Sequence, residues 1–296
     1  MLKNSLKGTG VAIITPFKKG GEVDFEALSN LIDFQVDSGV NYIVSLGTTG
    51  ETPVLSKNEK NNIIEHTYKH VNGRVPVVIG MGGNCTAELI DEIKQANLDG
   101  CTAILSASPY YNKPSQEGLY QHYAALAGMS PKPIILYNVP GRTGMNMSAT
   151  TTLRLAHDFE KISGIKEASG DMLQCMNILK DCPDDFLVVS GDDVLALAQI
   201  ACGMSGVISV AANAFPGQFS KMVEAALKND FKSAVKINNN LLPAYKLLFC
   251  ENNPAGVKAF LFEMGRIENE LRLPCVAISE ANQKLIREYA QQMELV

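Results

Sequence analysis

Residues 133–167 read PIILYNVPGRTGMNMSATTTLRLAHDFEKISGIKE and contain one strand–helix–strand unit. The apolar runs at 133–137 and 161–165 predict strands, and the spacing between them predicts a helix near 148–158. Because strands that alternate with helices form parallel sheets, this stretch predicts a parallel sheet covered by helices.

The same alternation recurs along the chain, with strand starts about 28 residues apart. Several of the apolar runs are nearly continuous, as in strands that are covered on both faces. Eight such units favour a closed (β/α)8 TIM barrel over an open doubly wound sheet. Residues 231–296 show helical patterns only, so we expect a barrel domain over 1–230 and a C-terminal helical domain over 231–296. The predicted strands lie near 10–15, 41–46, 75–79, 101–105, 133–137, 161–165, 186–190 and 206–210.

The composition excludes several classes of function. The 296 residues carry a net charge of −5, with 46 % hydrophobic and 19 % charged residues, which is typical of a globular protein without a basic nucleic-acid-binding face. The uncharged stretch 194–220 is interrupted by polar residues and glycines, so we expect a buried segment there and no membrane span. The apolar run near the N-terminus is short, and we expect no signal peptide. Seven cysteines without C-x-x-C spacing predict reduced thiols in a cytoplasmic protein and no structural zinc.

Lys166 is the first candidate for chemistry, because it directly follows a predicted strand and barrel active sites lie at the carboxyl ends of the strands. Burial in the barrel mouth favours the neutral amine, which can attack a ketone and form a Schiff base that acts as an electron sink. The alternative is a lysine that pairs with Glu167 or Asp192 at the rim. The position in the sequence leaves both interpretations open.

Other polar residues follow the predicted strands. Tyr137 could relay protons, and Arg142 could bind a carboxylate through two parallel hydrogen bonds. Thr48 and Thr49, between glycines, could present hydroxyl and backbone N–H groups to an anion. The alternatives are core packing for the tyrosine, a rim salt bridge for the arginine and a simple turn for the threonines.

Three further patterns indicate structure more than chemistry. The segment around Thr48 lacks the lysine of a P-loop. His66 and His70 are spaced for a shared metal, but the helix lacks the glutamate of a zinc protease, so we predict no metal site. Asp192 and Asp193 are expected to cap the next helix, and Ser56 and Glu59 to form a capping box.

Taken together, the motifs resemble the dihydrodipicolinate synthase family over essentially the whole chain. Any one of them is weak, but their order along the chain is highly specific. The matching segments are GTTGE at 47–51, PYYNKPSQEGLYQHY at 109–123, YNVPGRTG at 137–144, GIKEASGD at 164–171, SGDD at 190–193 and GVISV at 206–210.

The resemblance implies a lyase of lysine and diaminopimelate biosynthesis. Pyruvate would form a Schiff base with Lys166 without any cofactor, and the resulting enamine would attack L-aspartate 4-semialdehyde. Tyr137 resembles the general acid/base, which Thr48 links to Tyr111 of a neighbouring subunit. The family is usually a homotetramer built as a dimer of dimers, although the sequence does not separate tetramer from dimer. The remaining implied roles are semialdehyde binding by Arg142 and pyruvate binding by Thr49, Gly191 and Ile208.

A lysine feedback site is only partly matched. Asn84, Glu88 and Tyr110 fit the family's pattern, but Lys57 and Lys60 stand where lysine-sensitive members often have histidine, and position 53 is Pro. Extra positive charge disfavours a cationic effector, so we expect weak or absent inhibition by L-lysine. Position 141 is Gly where many members have Ser.

Two other functions remain open from the sequence. The first is another pyruvate-dependent aldolase, such as an N-acetylneuraminate lyase or a 2-keto-3-deoxy sugar acid aldolase, which would share Lys166 and Tyr137. The second is a barrel that binds a keto acid without catalysis, which the intact set of catalytic residues argues against.

Overall fold

A computed structural model describes residues 1–293 as a barrel of eight parallel strands. Each strand pairs with the next along the chain, and the eighth pairs with the first, so the sheet is closed. The predicted TIM barrel is therefore confirmed. The strands are β1 (Gly8–Ala12), β2 (Tyr42–Ser45), β3 (Val77–Gly80), β4 (Ala103–Ala107), β5 (Ile134–Asn138), β6 (Ile162–Glu167), β7 (Leu187–Ser190) and β8 (Gly206–Ser209).

Helices alternate with these strands and continue after the barrel closes. The uncharged stretch 194–220 is divided among α9, β8 and the start of α10, and no helix within residues 1–293 is both long and apolar enough to cross a membrane. The helices are α1 (Leu2–Ser5), α2 (Phe25–Asp37), α3 (Lys57–Val71), α4 (Thr86–Gln95), α5 (Gln116–Met129), α6 (Pro140–Thr143), α7 (Ala149–Asp158), α8 (Met172–Asp181), α9 (Ala196–Ala201), α10 (Pro216–Leu227), α11 (Phe231–Leu248), α12 (Ala255–Glu263) and α13 (Glu280–Gln292).

Some predicted boundaries are wrong, and hydrogen bonding explains one of them. The first strand was expected over 10–15 but ends at Ala12. The N–H of Ile14 donates to the side chain of Asn213 at 3.1 Å, so the chain leaves the sheet there. Whereas the first strand ends earlier than predicted, β6 ends two residues later than predicted and includes Lys166 and Glu167.

Side chains alternate between the barrel interior and the layer beneath the helices. On β5, Ile135 and Tyr137 belong to the interior cluster, whereas Ile134 and Leu136 pack in the outer core. This period of two is the ordinary geometry of a strand, whose successive side chains point to opposite faces. A residue's register therefore decides whether its side chain can reach the barrel mouth.

A β-bulge in β6 changes that alternation. Ile134 is the register partner of Ile162, but Ile135 pairs with Gly164, so Ser163 is an extra residue. Ile162 and Ile165 consequently both pack in the outer core although they are three residues apart. After the bulge, Tyr137 pairs with Lys166. Since a shift of one residue exchanges the two faces of a strand, the bulge turns Lys166 toward the interior.

Between residues 231 and 293 the chain forms the helices α11, α12 and α13, as expected, and Arg272 joins this C-terminal part to the barrel. The Arg272 guanidinium donates to the carbonyl oxygens of Gly21 and Val54 and to the carboxylate of Glu59. Glu59 also completes the capping box with Ser56 at the start of α3, as the sequence predicts. The hydrogen bonds from Arg272 lower the pKa of Glu59 to about 2. The division into domains 1–230 and 231–296 stays a prediction.

Candidate active site

A cavity of about 460 Å³ opens at the carboxyl ends of β2 to β5. Four of the predicted site residues line it, namely Thr48, Tyr110, Tyr137 and Arg142. This is the end of the barrel at which the strand register places Lys166. The other residues that line the cavity are Leu46, Gly47, Thr52, Pro53, Lys60, Gly80, Met81, Gly82, Leu105, Ala107, Val139 and Thr143.

Lys166 and Tyr137 are neighbours on adjacent strands; Tyr137 lines the cavity, whereas Lys166 is not among its lining residues. The Lys166 Nζ atom lies 4.3 Å from the centre of the Tyr137 ring. Both side chains are nearly buried, with 5 % of Lys166 and 7 % of Tyr137 exposed. The bulge supplies this proximity, because it makes the two residues register partners. An amine next to a phenol in a water-poor site has the components for nucleophilic attack coupled to proton transfer.

The two carboxylates considered as rim partners for Lys166 are engaged elsewhere. Glu167 is fully buried and accepts hydrogen bonds from Asn138 Nδ2, Gln174 Nε2 and the N–H of Ser169 at 3.0, 2.9 and 2.6 Å. Asp192 accepts from the N–H groups of residues 194 and 195, so it caps the turn before α9 and not, as the sequence predicted, the helix itself. Within residues 1–293 Lys166 has no ion pair, so that alternative is wrong.

Asp193 has a different place from the one expected. It does not cap a helix: its Oδ2 accepts from the N–H groups of Val210 and Ala211, at 3.1 and 2.8 Å, and so joins the end of β7 to the end of β8. Burial raises the pKa of Asp193 to about 6, against the opposing effects of these hydrogen bonds and of the charge on Lys166. Asp193 is thus a buried carboxyl whose pKa the charge on Lys166 lowers, although the sequence predicts only a helix cap for it.

Gly191 leaves the space that the Lys166 side chain occupies. A Cβ atom at this position would lie 2.6 Å from Cβ of Ala168 and 3.0 and 3.1 Å from Cε and Cγ of Lys166. These distances are shorter than van der Waals contact, so a larger residue would displace the lysine. Ile208, also expected to line the pyruvate pocket, is 1 % exposed and belongs to the same interior cluster as Tyr137.

The two threonines lie on a short 3-10 turn after β2. The turn, Thr48–Gly50, is bracketed by Leu46 and Glu51, whose φ angles are +58° and +54°. Gly80 on β3 permits the approach of this segment, since a Cβ atom there would overlap the carbonyl oxygen of Leu46. Thr48 is half-buried at the cavity, whereas Thr49 is 2 % exposed. Within residues 1–293, no hydrogen bond joins Thr48 to Tyr137.

The remaining predicted residues lie at the edge of the site. Arg142, on α6, is exposed, and its Nη2 donates to the carbonyl oxygen of Asn253 at 3.4 Å. Tyr111 is 88 % exposed with a φ of +68°, and it does not line the cavity that Tyr110 lines. Asn84 and Glu88 are exposed near the start of α4.

The sequence matches a family model over almost its full length. The Dihydrodipicolinate synthetase family model matches residues 5–293. The chain belongs to this family. Membership explains why the ordered motifs converge on one end of the barrel.

Individual members of the dihydrodipicolinate synthetase family are similar over their full length. The 4-hydroxy-tetrahydrodipicolinate synthase of Parabacteroides distasonis is 51 % identical, covering 98 % of each chain. The chloride-inhibited dihydrodipicolinate synthase of Acinetobacter baumannii, solved in complex with pyruvate, is 40 % identical with a TM-score of 0.95, over 98 % of this chain and all of that one. The enzyme of Cyanidioschyzon merolae, solved with lysine bound, is 33 % identical with a TM-score of 0.94, over 98 % and 99 % of the two chains.

The contact between Gly191 and Lys166 leads to a direct test. We expect Gly191→Ala to displace the Lys166 amine and to lower kcat/KM by about 100-fold, as is typical of a displacement of about 1 Å at a reacting group. Gly128→Ala is the matched control, because a Cβ atom there meets nothing within 4 Å. Steady-state kinetics on both variants check this, and normal activity of Gly191→Ala would contradict the assigned packing.

Proposed function

We propose that this chain is a 4-hydroxy-tetrahydrodipicolinate synthase, a lyase that joins pyruvate to L-aspartate 4-semialdehyde in the synthesis of diaminopimelate and lysine. The observation that carries the proposal is the buried Lys166 amine beside the Tyr137 phenol at the carboxyl end of a TIM barrel. Full-length similarity to enzymes with that name supports it.

The first half of the reaction forms a covalent enamine. The Lys166 amine attacks C2 of pyruvate, and loss of water gives an imine. The protonated imine withdraws electrons, so the methyl group releases a proton and an enamine forms. We assign Tyr137 to deliver and accept protons at these steps, an assignment that the 4.3 Å distance from its ring centre to the Lys166 Nζ supports. Because the imine itself is the electron sink, we propose that the reaction needs no metal or organic cofactor.

The second half joins the two substrates. The enamine carbon attacks the aldehyde of the semialdehyde, whose carbonyl oxygen takes up a proton. The amino group of the semialdehyde then displaces Lys166 from the imine and closes the ring. We assign Arg142, exposed at the cavity edge, to the semialdehyde carboxylate, because a guanidinium binds a carboxylate through two parallel hydrogen bonds. Thr49, Gly191 and Ile208 are assigned to pyruvate.

Reductive trapping tests the covalent step. We expect pyruvate and borohydride together to inactivate the enzyme and to add the mass of the reduced pyruvate adduct to Lys166, as read by peptide mass spectrometry. Lys166→Arg keeps the charge but cannot form this imine, so it should be inactive and resist trapping. Lys161→Arg, at the opposite end of β6, is the matched control and should behave as the wild type. Absence of pyruvate-dependent trapping would refute the Schiff base.

The aldehyde acceptor separates this enzyme from its relatives. The alternative is a sugar-acid or sialic-acid aldolase with the same lysine and tyrosine. Turnover with L-aspartate 4-semialdehyde and none with sugar-derived aldehydes is the expected result, and the reverse preference would favour the alternative.

We further propose that Tyr111 acts in the site of a neighbouring subunit. Its side chain is exposed in the single chain and lies outside the cavity, as expected of a residue that reaches into another copy. In this arrangement Thr48 connects Tyr137 to the partner's Tyr111, and protons pass to solvent through the three hydroxyls. The proposed assembly is a homotetramer, a dimer of dimers, with the dimer as the smallest active unit.

Seven free cysteines support a cytoplasmic location.

Mixed oligomers test whether Tyr111 is shared. Tyr111→Phe lacks the relay hydroxyl and Lys166→Arg lacks the nucleophile, so each variant alone should have little activity. A hybrid dimer restores one complete site, because the intact Lys166 receives the intact Tyr111 from its partner. We expect activity to appear after unfolding and refolding the two variants together, in proportion to the hybrids formed. A mixture as inactive as its components would rule out sharing.

We also propose that L-lysine inhibits this enzyme weakly or not at all. Asn84, Glu88 and Tyr110 are the assigned effector contacts. The Lys60 ammonium lines the same cavity as Tyr110 and repels an approaching cation, an effect that its ion pair with Glu92 at 3.1 Å reduces. An assay with millimolar L-lysine should show little loss of rate, whereas strong inhibition would contradict this inference.

A further inference from the structure

The turn that carries Thr48 and Thr49 is followed directly by a buried ion pair. The carboxylate of Glu51 contacts the ammonium of Lys258 on α12, and their side chains are 3 % and 0 % exposed. Glu51 therefore links the segment after β2 to the C-terminal helical part.

Both members of the pair have further partners, most of them in the C-terminal part. Lys258 Nζ donates to the carbonyl oxygen of Glu270 at 2.9 Å and lies 4.2 Å from the centre of the Phe17 ring. Glu51 Oε2 accepts from the N–H of Arg272 at 3.2 Å. Because a buried charge is stable only when it is paired and hydrogen-bonded, these contacts fix the position of both groups.

A second residue of the C-terminal part contacts two residues assigned to the substrates. Asn253 Nδ2 donates to Thr49 Oγ1 at 3.1 Å, and the Asn253 carbonyl oxygen accepts from Arg142 Nη2 at 3.4 Å. The segment from 253 to 272 thus contacts Thr49 within the turn and Glu51 directly after it, on both sides of Gly50.

The backbone of the turn needs such support. Leu46 and Glu51 have positive φ angles, which residues other than glycine rarely adopt. Residues held in such conformations persist when the surrounding structure over-determines them. At Glu51 the surrounding structure includes Lys258 and Arg272.

We propose that the Glu51–Lys258 pair is a positioning device through which the C-terminal helical part holds the Thr48–Gly50 turn in the geometry that binds pyruvate. The pair does not touch the reacting atoms. It acts on Thr49, two residues before Glu51, and on Thr48 beside it. This inference rests on the proposed function, in which these threonines serve pyruvate and the proton relay.

Three variants at the pair test the inference. Glu51→Gln preserves the shape and one oxygen acceptor, Lys258→Met removes the cation, and the double variant leaves no unpaired buried charge. We expect each to raise the KM for pyruvate by at least about tenfold, since small displacements of binding groups have effects of this size. At saturating pyruvate, the KM for the semialdehyde should change much less. Arg287→Met is the control, because it breaks the Arg287–Glu263 pair (2.9 Å) within the same helical part without touching the turn.

The measurements separate positioning from stability. A role in stability alone would lower the melting temperature and the active fraction, and therefore kcat, with an unchanged KM for pyruvate. That outcome in folded Glu51→Gln or in the double variant would overturn the proposal, even if Lys258→Met fails to fold. Borohydride trapping at limiting pyruvate should be slower in the variants and normal in Arg287→Met. If the wild type itself is not trapped at Lys166, the proposed function fails first.

Discussion

The extra residue in β6 is the constraint on which the site depends. Counted without interruption from Ile162, which faces the outer core, the strand alternation would also direct Lys166 outward, beside Asn138. Ser163 shifts the register by one, so that Lys166 faces the interior next to Tyr137. The same shift turns Glu167 outward, where amide groups receive its carboxylate. One inserted residue thus directs the Lys166 amine and the Glu167 carboxylate, adjacent in sequence, to opposite faces of the strand.

That separation determines the electrostatics around the amine. A close carboxylate would stabilise the ammonium and so oppose nucleophilic attack. The Glu167 carboxylate accepts hydrogen bonds from neutral donors on the outer face of the strand. One oxygen of Asp193 accepts hydrogen bonds from two backbone N–H groups. The pKa of Asp193, raised to about 6 by burial, means that even this carboxyl carries its charge less readily than an exposed aspartate. The positive charge of Arg142 at the cavity is therefore a local feature, since the whole chain carries a net charge of −5.

The sequence predicted the barrel and the location of its candidate site because both follow from local patterns. Apolar runs at regular intervals specify strands, and polar residues directly after Tyr137 and Lys166 mark the strand ends. The bulge was not predictable, since Ser163 in KISGIKE looks like an ordinary strand residue and its register depends on the neighbouring strand. Asp193 was assigned to a cap for the same reason: its partners on β8 are 17 and 18 residues away. Contacts between distant segments are what local patterns do not encode.

The Glu51–Lys258 pair extends this argument to the C-terminal helices. Removing one partner of a buried ion pair is strongly destabilising, because the other charge is left without compensation in a medium that solvates it poorly. Detachment of the helices would remove the contacts that Lys258 and Arg272 make with Glu51, which directly follows the Thr48–Gly50 turn and has a positive φ angle. We infer that the geometry of the Thr48–Gly50 turn and the docking of residues 253–272 are energetically coupled. The helical part therefore helps to shape the candidate active site. A barrel without it would keep Lys166 and Tyr137 but lose part of the support for Thr48 and Thr49.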